Sequence, residues 1–305
     1  MTYLKEKTKQ YLIHHNQTPS LTTMSAQKAR EMRSKYPPIH VQSGKLAAIE
    51  NRAVAARDGY PIPVRVYKPI GEGPFPVILY YHGGGWVLND LNTCHISCSL
   101  LAEKAGAIVV SVEYRLAPEY KFPVPLHDAY DAFLAINKGI EGLQTNGHVY
   151  VAGDSAGGNL AAGVTLLAKE GGLTIDAQVL LYPVTDLSYD SSSYLTYGEG
   201  YGLDRAVMKW FGNYYIRTSA DAENPLLAPI HAELAGLPRA FVLVAENDVL
   251  RDEGLAYAKK LEQSGVHVKQ SIAAGLVHSF FTKNEVFEEE IHQTIDEIAA
   301  FLKGR

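Results

Sequence analysis

Short apolar runs, separated by longer amphipathic stretches, dominate the chain from about Ala47 onward. Each run is bounded by glycine, proline or polar residues, as buried parallel strands usually are. The runs are Pro76–Tyr81, Ala107–Tyr114, His148–Gly153, Gln178–Tyr182 and Phe241–Ala245. The pattern therefore predicts a set of strands that are buried on both faces.

Helical spacing of apolar positions fills several intervals between and after these runs. It is clearest in Leu126–Lys138, in Leu255–Leu261 and in Val286–Leu302. Ahead of the runs, Ala47–Arg57 and Ile62–Lys68 flank an Asp-Gly pair and predict an opening hairpin. Strands that alternate with helices predict an α/β fold, with a mostly parallel central sheet and helices on both faces.

Two segments interrupt this alternation. The residues before about Ser43 have helical patterns but precede the first strand, and residues 185–224 form an unusually long connection that is rich in tyrosine. We expect them to form a helical cap, or lid, over the carboxyl edge of the sheet, where ligands bind in such folds. The alternative is a helical decoration that serves stability alone. The predicted division is 1–45 for the first part of the cap, 46–184 with 225–305 for the catalytic domain, and 185–224 for the cap insertion.

Composition narrows the class of protein. The chain has 305 residues, 47% of them hydrophobic, which is enough for a large core. A net charge of -5 gives no reason to expect nucleic acid as a partner, and two cysteines argue against a disulfide framework. The charged amino terminus lacks the apolar stretch of a signal peptide, and no run is long enough to span a membrane. A cytoplasmic location without membrane partners is expected, and an edge strand would allow a homodimer without requiring one.

The run Gly153-Asp154-Ser155-Ala156-Gly157 follows a predicted strand and precedes a predicted helix. A tight strand-to-helix turn exposes a serine oxygen, and small neighbours avoid a clash in that turn. Ser155 is therefore the candidate nucleophile. The alternative is a surface serine in a glycine-rich connection.

A glycine loop, His82-Gly83-Gly84-Gly85-Trp86, directly follows the strand at Pro76–Tyr81. Adjacent glycines let backbone N–H groups converge on the negative oxygen of a tetrahedral intermediate, and the N–H of Ala156 would be a further donor. A phosphate-binding role is disfavoured, because no P-loop lysine and no Gly-x-Gly-x-x-Gly spacing are present.

An orienting acid and a base complete the candidate site. Asp248 lies just past the strand at Phe241–Ala245, whereas Asp252 and Glu253 are expected in the first turn of the next helix, near its dipole. His278 is expected in a loop after the last strand, from where it can reach Ser155. The other downstream histidines, His231, His267 and His292, are expected on the surface, in a strand and on the terminal helix. The chain order Ser155, Asp248, His278 is that of α/β hydrolases.

At these residues the chain resembles the hormone-sensitive-lipase-like esterases, also called the GDXG family or bacterial family IV. Four motifs carry the resemblance, which extends over about Pro61 to Phe280: His82–Gly85, Tyr114–Glu119, Gly153–Leu160 and Asp248–Glu253. Within Tyr114–Glu119, Arg115 is expected to serve the structure and to need an acidic partner. The chain departs from many relatives at Val249, in place of proline, and at Ser279, in place of glycine.

The resemblance implies an α/β-hydrolase fold with a helical cap and hydrolysis of carboxylic esters with short to medium acyl chains. It implies Gly84 and Gly85, with Ala156, as oxyanion donors. A Ser155-His278-Asp248 triad needs neither cofactor nor metal.

Trp86, Tyr182, Tyr197 and Trp210 are candidates for the pocket of a small-molecule ester, although aromatic side chains are as often core. Amide hydrolysis, deacetylation and acyl transfer share the triad, and a non-catalytic receptor on the same fold is a further alternative.

Overall fold

The computed structural model describes residues 3–33, 44–139 and 142–304, and an eight-stranded sheet forms its centre. The strand order is β1-β2-β4-β3-β5-β6-β7-β8, in which β1 with β2 and β2 with β4 are antiparallel and the other neighbours are parallel. In chain order, β1 to β8 are Leu46–Ala55, Pro61–Pro69, Phe75–Tyr81, Ile108–Val112, Thr145–Asp154, Ala177–Leu181, Arg239–Asn247 and Val268–Val277. The predicted hairpin and the five predicted core strands are thus confirmed.

The described ranges contain nine α-helices, which pack on the faces of the sheet or precede and connect its strands. In chain order, α1 to α9 are Glu6–His15, Ala26–Arg33, His95–Ala105, Val124–Lys138, Ala156–Glu170, Ser192–Thr196, Arg205–Tyr215, Arg251–Gln263 and Asn284–Lys303. None of these is long and apolar enough to cross a bilayer. Nor could any group of His, Cys, Asp and Glu side chains in the same ranges hold a metal ion.

The sheet separates two apolar layers, and strand β3 shows why its sequence is apolar throughout. Val77, Leu79 and Tyr81 face the layer under α4, α5 and α8, whereas Ile78 and Tyr80 face the layer under α3 and α9. Because side chains alternate across a strand, a strand covered on both faces must be apolar at every position. The parallel core therefore brings the carboxyl ends of β3, β5, β7 and β8 to one edge of the sheet.

The strand exit at Tyr114–Glu119 is held by the ion pair that the sequence predicts for Arg115. The Arg115 guanidinium donates to both carboxylate oxygens of buried Asp128, at 2.9 and 2.7 Å, and to Asp58 at 2.7 Å. Asp128 has no accessible side-chain surface, while the Asp58 side chain is 51% exposed. The two carboxylates share one guanidinium in very different surroundings.

Asp128→Ala is expected to lower the free energy of unfolding by about 3–5 kcal/mol, because it leaves a nearly buried guanidinium without its main partner. Asp58→Ala is the matched control and is expected to lower the free energy of unfolding far less, since water screens that pair. Urea denaturation of both variants measures the difference. Equal losses would contradict the role assigned to Asp128.

Candidate active site

Ser155 lies in a sharp turn between β5, which ends at Asp154, and α5, which begins at Ala156. Its backbone adopts φ 57° and ψ -120°, a conformation that residues with a side chain rarely occupy. The turn is anchored on the adjoining strand, because the Ser155 N–H donates to the Leu181 carbonyl at 2.8 Å. The tight strand-to-helix turn predicted around Ser155 is therefore present.

The structure brings the three predicted triad residues into one hydrogen-bonded chain. His278 Nε2 lies 2.8 Å from Ser155 Oγ, and His278 Nδ1 lies 2.6 Å from Asp248 Oδ2. Asp248 cannot rotate freely, since its Oδ1 accepts from the Leu250 N–H at 3.0 Å. A carboxylate at Nδ1 keeps the proton there and leaves Nε2 able to accept the serine proton.

His278 lies in the turn that directly follows β8, which is where the sequence predicts it, after the last strand. The strand runs to Val277, which pairs with Asn247 of β7, although Ala273 already pairs with Ala245. Two extra residues on β8 therefore form a bulge. Gly275 lies there with φ 71°, and its N–H donates to Glu246 Oε2 at 2.6 Å. Bulges re-aim the residues beyond them, which here directs His278 toward Ser155.

The glycine loop after β3 turns beside the triad. Gly84 and Gly85 have φ values of 117° and 61°, and a Cβ on Gly85 would lie 2.1 Å from the ring of Phe211 on α7. Among the described residues, none accepts a hydrogen bond from the N–H of Gly84 or Gly85. Unpaired backbone donors inside a protein are rare. Two of them side by side are therefore available to donate to the oxygen of a ligand. Since Phe211 packs on Gly85, the insertion at residues 185–224 contacts the glycine loop.

Asp154, next to the nucleophile, fastens the glycine loop to the sheet. Its Oδ1 accepts from the Tyr80 hydroxyl at 2.8 Å and from the Gly83 N–H at 2.9 Å. Burial raises the pKa of this carboxyl, an effect that the two hydrogen bonds oppose. These contacts anchor the turn at the end of β5 to the glycine loop.

Asp154→Ala is expected to lower kcat by roughly ten- to hundredfold and to destabilise the fold by about 1–3 kcal/mol. The reason is that it leaves two buried donors unpaired and frees the glycine loop. Asp154→Asn is the matched control, because its amide oxygen can accept both hydrogen bonds, and it should retain most activity. Steady-state kinetics and thermal unfolding test the pair. Wild-type kcat in the alanine variant would contradict this role.

His82 begins the glycine loop and serves its geometry. Its ring stacks on Tyr114 at 4.4 Å between centroids, and Nδ1 lies 2.8 Å from the Gly83 carbonyl. Burial lowers the pKa of His82 to about 4, so that the ring is neutral at neutral pH. His82 therefore orients the loop and does not compete with His278 as a base.

The four predicted pocket residues differ in their positions. Tyr182 packs edge-on against His278, with 4.8 Å between ring centroids, whereas Trp86 stacks on Tyr215 at 4.4 Å. Both are fully buried, and Tyr197 is 5% exposed. The half-buried Trp210 donates from its indole to the Met24 carbonyl at 3.2 Å. Tyr182 is the member of this set that contacts the triad, and the pocket role of all four stays a prediction.

Asp252 and Glu253 lie in the first turn of α8, as expected, but their main contacts are with the start of the insertion. Asp252 accepts from the Ser193 N–H at 2.8 Å, and Glu253 accepts from the Thr185 N–H at 2.7 Å. Burial raises the pKa of Glu253 well above its ordinary value. The sequence did not show these contacts, because they join residues far apart in the chain.

The profile of an α/β-hydrolase fold family matches residues 78–282. The chain belongs to that family, in its hormone-sensitive-lipase-like esterase branch. It is similar to carboxylesterase NlhH of Mycobacterium tuberculosis, with 38% identity over 83% of this chain and 81% of that protein. It also resembles an ethyl acetate hydrolase of Pseudomonas putida, with 37% identity over 79% of this chain and 78% of that one. The resemblance stated from the motifs is confirmed.

The chain is also similar to solved structures of esterases, and this similarity extends over nearly the whole chain. A hyperthermophilic esterase of Pyrobaculum calidifontis superimposes with a TM-score of 0.91 at 37% identity, covering 99% of this chain and 98% of that one. A thermostable esterase of Pseudomonas putida gives a TM-score of 0.93 at 32% identity, covering 100% of this chain and 99% of the other. The predicted α/β-hydrolase fold is thereby confirmed.

Proposed function

We propose that this chain is a serine carboxylesterase that hydrolyses small-molecule esters through an acyl-enzyme on Ser155. The observation that carries the proposal is the hydrogen-bonded chain from Ser155 through His278 to Asp248, beside two free backbone donors. The names of its relatives, which are esterases and ester hydrolases, support the same reaction class.

In the first half of the reaction, His278 Nε2 takes the proton of Ser155 while Oγ attacks the ester carbonyl carbon. The N–H groups of Gly84, Gly85 and Ala156 hold the oxygen that becomes negative. His278 then gives its proton to the leaving alcohol, and the acyl group stays on Ser155. Asp248 stabilises the imidazolium that exists between the two transfers.

The second half repeats these steps with water. His278 removes a proton from the water, which attacks the acyl carbon, and the same donors hold the second oxyanion. Collapse of that intermediate returns the proton to Ser155 and releases the carboxylic acid. Every step uses groups of this chain and water.

We further propose that residues 1–45 and 185–224 together form the cap, as the sequence predicts. Contacts between the two segments support this: Asn16 donates to the Gly200 carbonyl at 3.1 Å, and Trp210 donates to that of Met24. Arg30 of α2 donates to the Val87 carbonyl at 2.8 Å, next to the glycine loop. A cap in these positions would limit the length of acyl chain that fits.

A fluorophosphonate probe tests the reaction class, because it phosphonylates an activated serine and ignores a merely exposed one. We expect stoichiometric labelling of Ser155, found by peptide mass spectrometry and prevented by prior acylation. A wild-type chain that stays unlabelled would favour the receptor alternative and overturn the proposal.

Matched substrates separate the remaining enzymatic alternatives. We expect p-nitrophenyl butyrate to be hydrolysed far faster than butyryl p-nitroanilide, and acyl chains beyond about ten carbons to be poor substrates. Faster anilide cleavage would indicate an amidase, and ester product in the presence of added alcohol would indicate an acyltransferase. The homodimer and the cytoplasmic location stay predictions from the sequence.

A further inference from the structure

Lys283 is a basic residue close to the active site that the proposed mechanism does not use. It follows the short helical turn Phe280–Thr282, five residues after His278, and its ammonium lies 5.4 Å from the centre of the Tyr11 ring on α1. The side chain is half-buried between the amino-terminal helix and the core. Lys283 therefore lies where the first part of the proposed cap meets the sheet edge.

An aromatic series joins this position to the triad. Tyr11 contacts Phe287, and Phe287 contacts Phe280, with centroid distances of 5.8 and 6.4 Å. Phe280 contacts Tyr182 at 5.7 Å, and Tyr182 contacts His278. These ring contacts hold the turn that carries Lys283 at a fixed spacing from His278.

The charge on Lys283 has no direct counter-ion. Among the described residues, no carboxylate lies within ion-pair distance of its ammonium and no acceptor is hydrogen-bonded to it. Burial, together with the nearby positive charge of Arg33, lowers the pKa of Lys283 to about 8, while Glu285 and Asp154 oppose this effect from a distance. An unpaired cation in such a place destabilises the free protein, and an anionic ligand would offset that cost.

The start of the helix that follows gives no reason for a lysine at this position. Lys283 is the residue that precedes the first turn of α9, where Ser, Thr, Asp and Asn are preferred. Its side chain caps nothing, and its position is nonetheless partly accessible. A role toward a ligand explains both features.

A second cation lies on the same side of the site. Arg33, the last residue of α2, donates to Asn89 Oδ1, and Asn89 Nδ2 donates to the Gly83 carbonyl at 3.1 Å. Arg33 is thereby joined to the glycine loop, and its charge acts on Lys283. Two positive charges, those of Arg33 and Lys283, therefore lie on this side of the glycine loop.

We propose that Lys283 binds a carboxylate of the substrate, so that the preferred esters are anionic. This inference rests on the proposed esterase function and names the substrate class for the same site. The carboxylate would belong either to the acyl part, as in a monoester of a dicarboxylic acid, or to the alcohol part, as in an acetylated hydroxy acid. Arg33, which is joined to the glycine loop through Asn89, would attract such substrates to the site.

Two matched pairs of substrates test the inference and distinguish the two sources. Mono-p-nitrophenyl glutarate is compared with p-nitrophenyl hexanoate, and acetylated γ-hydroxybutyrate is compared with pentyl acetate. At low salt, we expect kcat/KM for the anionic member of one pair to exceed that of its neutral match by roughly tenfold or more. The pair that shows the preference identifies the side of the ester that lies toward Lys283.

Lys283→Met should abolish that preference, with a roughly ten- to hundredfold loss of kcat/KM on the anionic ester and a change of less than about twofold on the neutral one. Lys283→Arg should keep most of the preference, and Lys283→Gln should lose it. Lys259→Met is the matched control, since it removes the same charge from an exposed position on α8. It should behave as wild type.

The outcomes separate the two proposals. Hydrolysis of the neutral esters without any preference for an anionic partner would overturn the Lys283 inference and leave the esterase function intact. A preference that survives in both Lys283→Met and Lys283→Gln would also overturn it. Failure of the wild-type chain to hydrolyse any of the four esters would overturn the esterase function itself, and the inference with it.

Discussion

Ser155→Ala is expected to lower kcat on p-nitrophenyl butyrate by about 10⁴–10⁶, with no change in secondary structure or melting temperature beyond a few degrees. The substitution removes the oxygen that lies 2.8 Å from His278 Nε2, and no other described hydroxyl shares that hydrogen bond. The oxyanion donors remain, so that a small residual rate over water is expected. Stopped-flow or steady-state release of p-nitrophenol measures the effect.

Asp248→Asn gives a graded comparison in the same assay. It preserves the shape of the side chain but presents an amide to His278 Nδ1, which favours the wrong tautomer, and a loss of about 10³–10⁴ is expected. Circular dichroism should show both variants folded. More than about a hundredth of wild-type activity in Ser155→Ala would show that another group is the nucleophile.

Gly157→Ala is expected to prevent folding, or to lower the free energy of unfolding by more than about 4 kcal/mol. A Cβ at Gly157 would lie 1.9 Å from the Tyr81 carbonyl oxygen and 2.7 Å from that of His82. These are backbone atoms at the end of β3 and the start of the glycine loop, and no rotamer change can move them. Soluble yield and urea denaturation measure the loss.

Gly171→Ala is the matched control for this prediction. A Cβ there would meet the hydroxyl of Tyr130 at 2.8 Å, which is the far end of a movable side chain, and the φ of -77° suits alanine. We expect a change within about 1 kcal/mol. A Gly157→Ala variant as stable as Gly171→Ala would contradict the close packing of α5 on β3.

The elements of the core could be predicted from the sequence because their signals are local. Strand β3 is apolar at every position, and α4 repeats its apolar positions at helical spacing. In each case a few consecutive residues indicate both the type of element and the faces that it buries. The residues of the triad could be predicted for a related reason. Ser155 and Asp248 each stand at the end of an apolar run, and parallel strands bring such ends to one edge of the sheet.

The end of β8 was not predicted, because its course depends on a neighbour. The bulge at Gly275 is stabilised by the Glu246 carboxylate and by pairing with β7, and neither contact leaves a pattern in the residues around Gly275. Contacts of Glu253 with Thr185 and of Lys283 with Tyr11 were missed for the same reason. Each joins residues that are distant along the chain.

The sequence by itself determined the order of the strands along the chain, the α/β-hydrolase class and the identity of the three triad residues. Periodicity and motif spacing encode these, since they reflect which faces must be buried and which turns need glycine. Only the tertiary structure decided that Asp154 fastens the glycine loop, that Phe211 covers Gly85, and that Lys283 lies against the ring of Tyr11. Those features arise from the packing of separate elements against one another, and packing depends on distances in space that spacing along the chain does not record.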